Sequence, residues 1–148
     1  MKTLSKALVA ATFALLALSA AAQDYAGVVK TSKGYASVDR DGKAISVVPG
    51  VQLNQGDRIL TGKDGYVGIT MRDDTILTLG PGSAMRLDDY AFDAKTHDGS
   101  FLAYLSKGML SVVTGLIARR SPESFVVKTR ISTMGVRGTE FIVEANED

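Results

Sequence analysis

The chain has 148 residues with nearly balanced charge and no cysteine, and these features exclude several classes of protein. It contains 17 Lys and Arg residues and 16 Asp and Glu residues, so it has no large surplus of positive charge to attract nucleic acid or an anionic membrane. Without cysteine, a small domain depends on packing and a hydrogen-bonded β framework instead of disulfides.

The first 22 residues have the three-part layout of a secretory signal peptide. Lys2 and Lys6 form a positive start, an apolar run follows over residues 7–18, and small residues lead to Ala22. This run is shorter than the roughly 20 residues that a membrane-spanning helix needs. We therefore predict cleavage before Gln23 and no stable membrane insertion afterwards, with an uncleaved N-terminal anchor as the alternative. Loss of both lysines changes the formal net charge from +1 to −1.

Residues 23–148 are predicted to form one domain. In this stretch, short runs of β-branched, aromatic and leucine residues alternate with glycine-containing turns. This punctuation is typical of an all-β fold. The predicted strands are 27–31, 35–39, 44–48, 58–61, 66–71, 75–79, 84–87, 101–105, 109–114, 125–130 and 139–144.

The turns between these strands restrict the topology. Asp41-Gly42 predicts a tight type I′ hairpin, and a further turn is predicted at Lys107-Gly108. The connections are too short for crossover helices, so a parallel βαβ sheet is not expected. A wound, solenoid-like stack of short strands and a β-sandwich or roll both stay open.

Alternating apolar positions locate the core and the surface loops. Residues 101–105 are apolar on both faces and 109–114 alternate similarly, so 101–114 is predicted as the centre of the core. The polar stretch 88–99, with a short strand around 90–93 as an option, and the stretch 115–124 are predicted as surface loops.

The reactive side chains are too few for a recognisable enzyme site, and we predict no catalytic residue, no metal site and no cofactor. His97 is the single histidine, is expected in an exposed loop, and has neither a nucleophile turn nor further zinc ligands to join. Adjacent acids such as Asp73-Asp74 are interpreted as turn formers. Arg119 and Arg120 form a small basic spot that is a candidate contact for an acidic partner.

The most distinctive segment is 129–141, where Gly135 and Gly138 flank Arg137 in a β-branched context. Glycine permits backbone angles and close approaches that a Cβ forbids. We favour a structural role for Arg137, with its guanidinium bridging backbone carbonyls or an Asp, over direct ligand contact.

Four motifs in register resemble the FecR domain family. Residues 56–61 resemble its Gly-Asp-x-Ile-x-Thr segment, and 72–75 its Asp-Gly-Ser/Thr turn, with Asp74 where glycine is usual. Residues 105–110 and 133–141 resemble its leucine-rich stretch and its terminal Arg-Gly-Thr-x-Phe motif, although Arg130 replaces a usual proline. The motif residues, interpreted as structural, are Gly56, Asp57, Thr61, Gly108, Gly135, Arg137, Gly138, Thr139 and Phe141.

The resemblance implies a periplasmic β-solenoid-like module. The best-known members receive a signal from an outer-membrane transporter and relay it to a sigma factor through a transmembrane helix and a cytoplasmic segment. Here the predicted signal peptide leads directly into the domain, so only the binding half of that mechanism carries over.

Three functions follow from these observations, in decreasing order of preference. The first is a non-enzymatic adaptor that binds a periplasmic or outer-membrane protein through an exposed strand edge or the loops. The second is binding of envelope glycan or a small ligand by tyrosine rings. An enzyme is third. The candidate rings are Tyr25, Tyr35, Tyr66, Tyr90 and Tyr104.

Overall fold

A computed structural model of the chain describes residues 24–136 and 139–146, and this part is mostly β. The strands are β1 Gly27–Lys33, β2 Ala36–Arg40, β3 Lys43–Ser46, β4 Gln52–Leu53, β5 Arg58–Thr61, β6 Tyr66–Met71, β7 Ile76–Leu79, β8 Ala84–Phe92, β9 Gly99–Val113, β10 Phe125–Lys128, β11 Thr133–Gly135 and β12 Glu140–Ala145. A short helix, α1 (Leu116–Arg120), and a 3-10 turn, Pro122–Ser124, lie between β9 and β10.

The strands form a curled, mostly antiparallel sheet that closes into a half-barrel. Its main path is β3-β2-β5-β8-β9-β7-β6-β1-β4, with β10 and β12 also pairing with β9, and β11 pairing with β10. Among the described strands only the β9–β10 pair is parallel. The all-β prediction is confirmed in part: the described residues are mostly β with one short helix, and the stacked parallel coils of a solenoid are not seen among them.

The hairpin predicted at Asp41-Gly42 is confirmed. β2 and β3 pair antiparallel and the turn joins Arg40 directly to Lys43 in register. Both turn residues have positive φ, 51° at Asp41 and 80° at Gly42, as a type I′ turn requires.

The turn predicted at Lys107-Gly108 is wrong, because the two predicted strands are one 15-residue strand, β9. The first half of β9 pairs with β8 and β10, and the second half with β7 and β12. Gly108 has φ of 89°, and a Cβ there would collide with Ser83. The Met109 amide donates to Ser83 Oγ at 3.0 Å. Gly108 is therefore where β9 bends and not where it ends.

The core lies inside the curl and is centred on β9, as predicted. Inward positions alternate along the strand and are almost fully buried, including Phe101, Leu105 and Leu110. Phe101 and Phe125 stack with ring centroids 4.1 Å apart, and Tyr90 meets the Phe101 ring edge-on at 6.3 Å.

Two predicted loops contain regular structure. β8 continues to Phe92, so the loop begins later than residue 88. The second stretch holds α1, which buries Ile117 and Ala118, and the 3-10 turn. Five helical residues are too few for a helical period to show in the sequence. Among the described residues, no helix is long and apolar enough to span a membrane.

Candidate functional site

The Gly-Asp motif builds a turn around a buried carboxylate. Gly56 has φ of 90° and turns the chain into β5, which places Asp57 inward with 1% of its surface exposed. Arg40, at the end of β2, binds both oxygens, with Nε 2.8 Å from Oδ1 and Nη2 2.7 Å from Oδ2. The Asn54 amide donates to Oδ2 at 2.8 Å. This bidentate pair raises the pKa of Arg40 and joins β2 to the turn before β5.

Thr61, the last residue of the same motif, fastens the other end of β5. Its hydroxyl donates to the Gly80 carbonyl at 2.7 Å and accepts from the Ser83 amide at 2.8 Å. Ser83 in turn contacts the bend at Gly108. The structural roles predicted for Asp57, Thr61 and Gly108 therefore fit their contacts.

A second buried carboxylate, Asp73, lies where β6, β8 and α1 meet, and it is 0% exposed. The Thr75 hydroxyl donates to Oδ2 at 2.7 Å, and the Tyr90 hydroxyl donates to Oδ1 at 3.1 Å. The Ile117 amide of α1 also points at Oδ2, at 3.3 Å. The Gly115 amide donates to the Thr75 hydroxyl at 3.1 Å.

The turn-former interpretation of Asp73-Asp74 is right in part, because the Thr75 amide donates to Asp73 Oδ1 at 3.4 Å, but it is incomplete. Asp74 has φ of 66°, the left-handed conformation that explains why the resembled motif has glycine here. What the pattern of two acids did not reveal is the contact of Asp73 with Tyr90 and Ile117. The Asp-x-Thr spacing of the family motif was the available signal.

Tyr90 is a core residue and not a surface ring, which removes it from the predicted stacking residues. Burial, together with the nearby Asp73 charge, raises the pKa of Tyr90 well above its ordinary value of 10.0. The phenol therefore stays protonated and available as a donor to Asp73.

The terminal motif is only partly described. Gly135 ends β11 with open space beside it, the Thr139 carbonyl accepts from the Thr114 amide at 2.8 Å, and Phe141 packs against the core. Arg137 and Gly138 lie outside the described residues, so the structural role predicted for Arg137 stays a prediction.

The strand that follows, β12, presents an edge. Among the described residues it pairs only with β9, along Glu140↔Val113 to Ala145↔Gly108. The Thr114–Thr139 bond sets the alternation of the ladder, so the N–H and C=O groups of Glu140, Ile142 and Glu144 point away from β9. Among the residues that the structure describes, these groups have no strand partner and form a row at the sheet edge.

The outer face beside this edge carries three exposed apolar side chains. Ile142 is 64% exposed, Ile76 on β7 is 44% exposed, and Met109 on β9 is 40% exposed. Glu140 and Glu144 flank Ile142 on the same face, because residues two apart along a strand share a side. We call this surface, formed by β12 with Ile76 and Met109, the β12 edge surface.

The loop residues His97, Arg119 and Arg120 do not form one shared site. His97 is exposed, as predicted, and stacks on Phe92 with centroids 6.2 Å apart. Arg119 and Arg120 are exposed at the end of α1, and Arg120 Nε binds Asp98 Oδ1 at 3.2 Å, which lowers the pKa of Asp98. No group of three or more potential metal ligands occurs among the described side chains.

Comparison with known proteins places these motifs in a family. The model of the FecR protein family matches residues 57–148, more than half of the chain. One solved structure, a cell surface anchoring domain, is 26% identical over 41% of this chain and 82% of that chain, with a TM-score of 0.40, which does not establish a shared fold. No curated protein matches the chain. The matched region begins at Asp57 and contains the Thr61 and Asp73 contacts described above, and the chain belongs to the FecR family.

Proposed function

We propose that this chain is a non-enzymatic adaptor of the periplasm, exported by a cleaved signal peptide, that binds a protein partner by strand addition at β12. The observation that supports the proposal is the row of β12 backbone groups that has no strand partner among the described residues and lies beside the exposed side chains of Ile76, Met109 and Ile142. In strand addition, main-chain hydrogen bonds supply affinity and alternate side chains supply specificity.

The charges on β12 favour a different chain over a second copy as the partner. Antiparallel self-pairing centred on Ile142 would place Glu140 of one copy opposite Glu144 of the other. Like charges directly opposite one another destabilise a strand pair. A partner strand with Lys or Arg beside the two glutamates and an apolar residue beside Ile142 meets all three side chains favourably.

The two strands at the ends of the main sheet path, β3 and β4, are less suited to this role. β3 exposes Lys43, a residue that discourages strand addition, and β4 has two residues. β12 has six residues and carries Ile142 in its centre. A relay of envelope signals, as the best-known FecR proteins perform, would use this contact as its receiving step.

The proposal is tested with Ile142→Pro in the full chain, expressed in the periplasm. Proline removes the outward N–H of residue 142 without removing a β12–β9 hydrogen bond, and proline is tolerated at such edge positions. Ile142→Thr is the matched control, because it shortens the apolar side chain but keeps the N–H. A photoreactive residue at Glu144 reports the partner, and one at Glu123, an exposed residue of the 3-10 turn, reports background.

We expect one discrete crosslinked protein from position 144 and none from position 123. This product should disappear with Ile142→Pro and persist, weakened, with Ile142→Thr, while both variants melt close to the parent. An unchanged product in Ile142→Pro, or the same product from position 123, would reject strand addition at β12.

A further inference from the structure

A row of basic and aromatic side chains crosses the outer face of the other half of the sheet. Arg58 on β5 is directly opposite Arg86 on β8, Arg86 is opposite Tyr104 on β9, and Tyr104 is opposite Lys128 on β10. With strands about 4.8 Å apart, four neighbours span roughly 14 Å. Arg58, Arg86 and Lys128 are exposed and Tyr104 is half-buried. We call this set the basic row.

The charges of the basic row are incompletely balanced. Directly opposed like charges destabilise a strand pair, so the Arg58–Arg86 register works against folding unless an anion lies between them. Arg86 binds both oxygens of Asp88. The Arg58 side chain makes no hydrogen bond or ion pair with any other described residue. Asp39, opposite Arg58 on β2, accepts instead from the Gly42 amide at 3.0 Å.

The row also has the shape of a binding site. A surface pocket of about 260 Å³ is lined by Arg58, Arg86, Tyr104 and Ser106. The Arg86 guanidinium carbon lies 5.5 Å from the centre of the Tyr104 ring, so Asp88 and the ring fix its orientation before any ligand arrives. Ser106 adds a hydroxyl, which donates to the Ala84 carbonyl at 3.2 Å.

We propose that the basic row binds an acidic sugar chain, with one carboxylate between Arg58 and Arg86 and a second near Lys128. A planar guanidinium binds a carboxylate through two parallel hydrogen bonds, and Arg58 has this capacity unused among the described residues. The Tyr104 ring and the Ser106 hydroxyl provide an apolar surface and a polar contact for the sugar ring between the charges.

A nucleic acid fits these observations less well than a short acidic glycan. Nucleic-acid affinity comes largely from many phosphate contacts, and the chain as a whole has almost no net charge to attract such a polyanion. Three cations over roughly 14 Å match a few charged sugar units instead.

The test is a calorimetric titration of the full chain with three probes: tetragalacturonate, which carries a carboxylate on each sugar; maltotetraose, its neutral counterpart; and tetrapolyphosphate, an anion without sugar. We expect binding of tetragalacturonate that weakens as salt is added, and none of maltotetraose. Arg58→Gln should weaken the binding by about tenfold or more, since a hydrogen-bonded charge is lost. Arg119→Gln, which makes the same change of charge on α1, should leave it unchanged.

Three results would overturn the proposal. One is the absence of tetragalacturonate binding at millimolar concentration, and another is an equal loss in Arg58→Gln and Arg119→Gln. Tetrapolyphosphate binding as tightly as tetragalacturonate would reject a sugar-specific site. Ile142→Pro lies on the other half of the sheet and should titrate like the parent, so this site and the β12 edge surface succeed or fail independently.

Discussion

The two buried carboxylates of this domain are stabilised in opposite ways. Asp57 pairs with a charged side chain, Arg40, close to solvent. Asp73 is instead surrounded by four neutral donors, which are the Thr75 and Tyr90 hydroxyls and the Thr75 and Ile117 amides. The comparison shows how one fold without disulfides fixes its parts. The ion pair joins neighbouring strands through a turn, and the neutral cluster joins β6, β8 and α1.

The Asp73 cluster should contribute more to stability, because every partner around it is buried. Asp73→Ala leaves the Thr75 and Tyr90 hydroxyls and the Ile117 amide without their acceptor. We expect the free energy of unfolding to fall by about 4 kcal/mol, the summed cost of several unmet buried donors. Urea denaturation followed by far-UV circular dichroism measures this change. A loss of stability no larger than that of the exposed control Asp64→Ala would contradict the cluster's role.

The Asp57 pair should contribute less, because solvent can reach the carboxylate once the arginine is shortened. Arg40→Ala removes two short hydrogen bonds and also the Nη2 contact with the Gln52 carbonyl at 2.9 Å. We expect a loss of about 2 kcal/mol in the free energy of unfolding. Arg119→Ala, with the same loss of charge at an exposed position, should change stability by less than about 0.5 kcal/mol. Equal effects in the two variants would mean that net charge matters and the pair does not.

The separation along the chain between contacting residues explains what the sequence could and could not predict. β5 and β6 were predicted to the residue, because local glycine and aspartate turns bound them on both sides. In the local sequence, Lys107-Gly108 resembles a turn. The site is a bend within β9 because of its contact with Ser83, a residue 25 positions earlier that no local pattern indicates. The partners Tyr90 and Ile117 lie 17 and 44 residues from Asp73, too far for any local pattern to indicate them.

Family resemblance recovered part of what local patterns missed. It marked Asp73 and Thr75 as a motif, although not the depth of their burial. Neither approach indicated the basic row, because its members come from four strands and meet only through the register of the sheet. β12 was predictable as a strand, but its position at an edge depends on how the other described strands pair.

The stability that the Tyr90 hydroxyl contributes to the Asp73 cluster should depend on pH. Tyr90→Phe removes one donor to Asp73 and should lower the free energy of unfolding by about 1 kcal/mol at neutral pH. Because burial raises the pKa of Tyr90 in the folded state, the unfolded chain releases this proton first as pH rises past 10.0. Stability contributed by the neutral phenol is therefore present below that pH and declines above it. The difference between parent and Tyr90→Phe, measured by urea denaturation at stepped alkaline pH, should shrink there, and a constant difference would contradict the buried donor.

The smallest effect concerns the turn residues beside the two carboxylates. Gly56 precedes Asp57 with φ of 90°, and Asp74 follows Asp73 with φ of 66°, so both turns use the left-handed conformation but only one uses glycine. The left-handed conformation costs a non-glycine residue roughly 1 kcal/mol. Replacement by glycine removes this cost, but glycine's greater freedom in the unfolded chain offsets about half of the gain. Asp74→Gly should therefore raise the free energy of unfolding by about 0.5 kcal/mol, and Gly56→Ala should lower it by a similar or larger amount. Thermal melts of the two variants beside the parent measure both shifts. A destabilised Asp74→Gly would show that the Asp74 side chain, and not its backbone angle, matters at that turn.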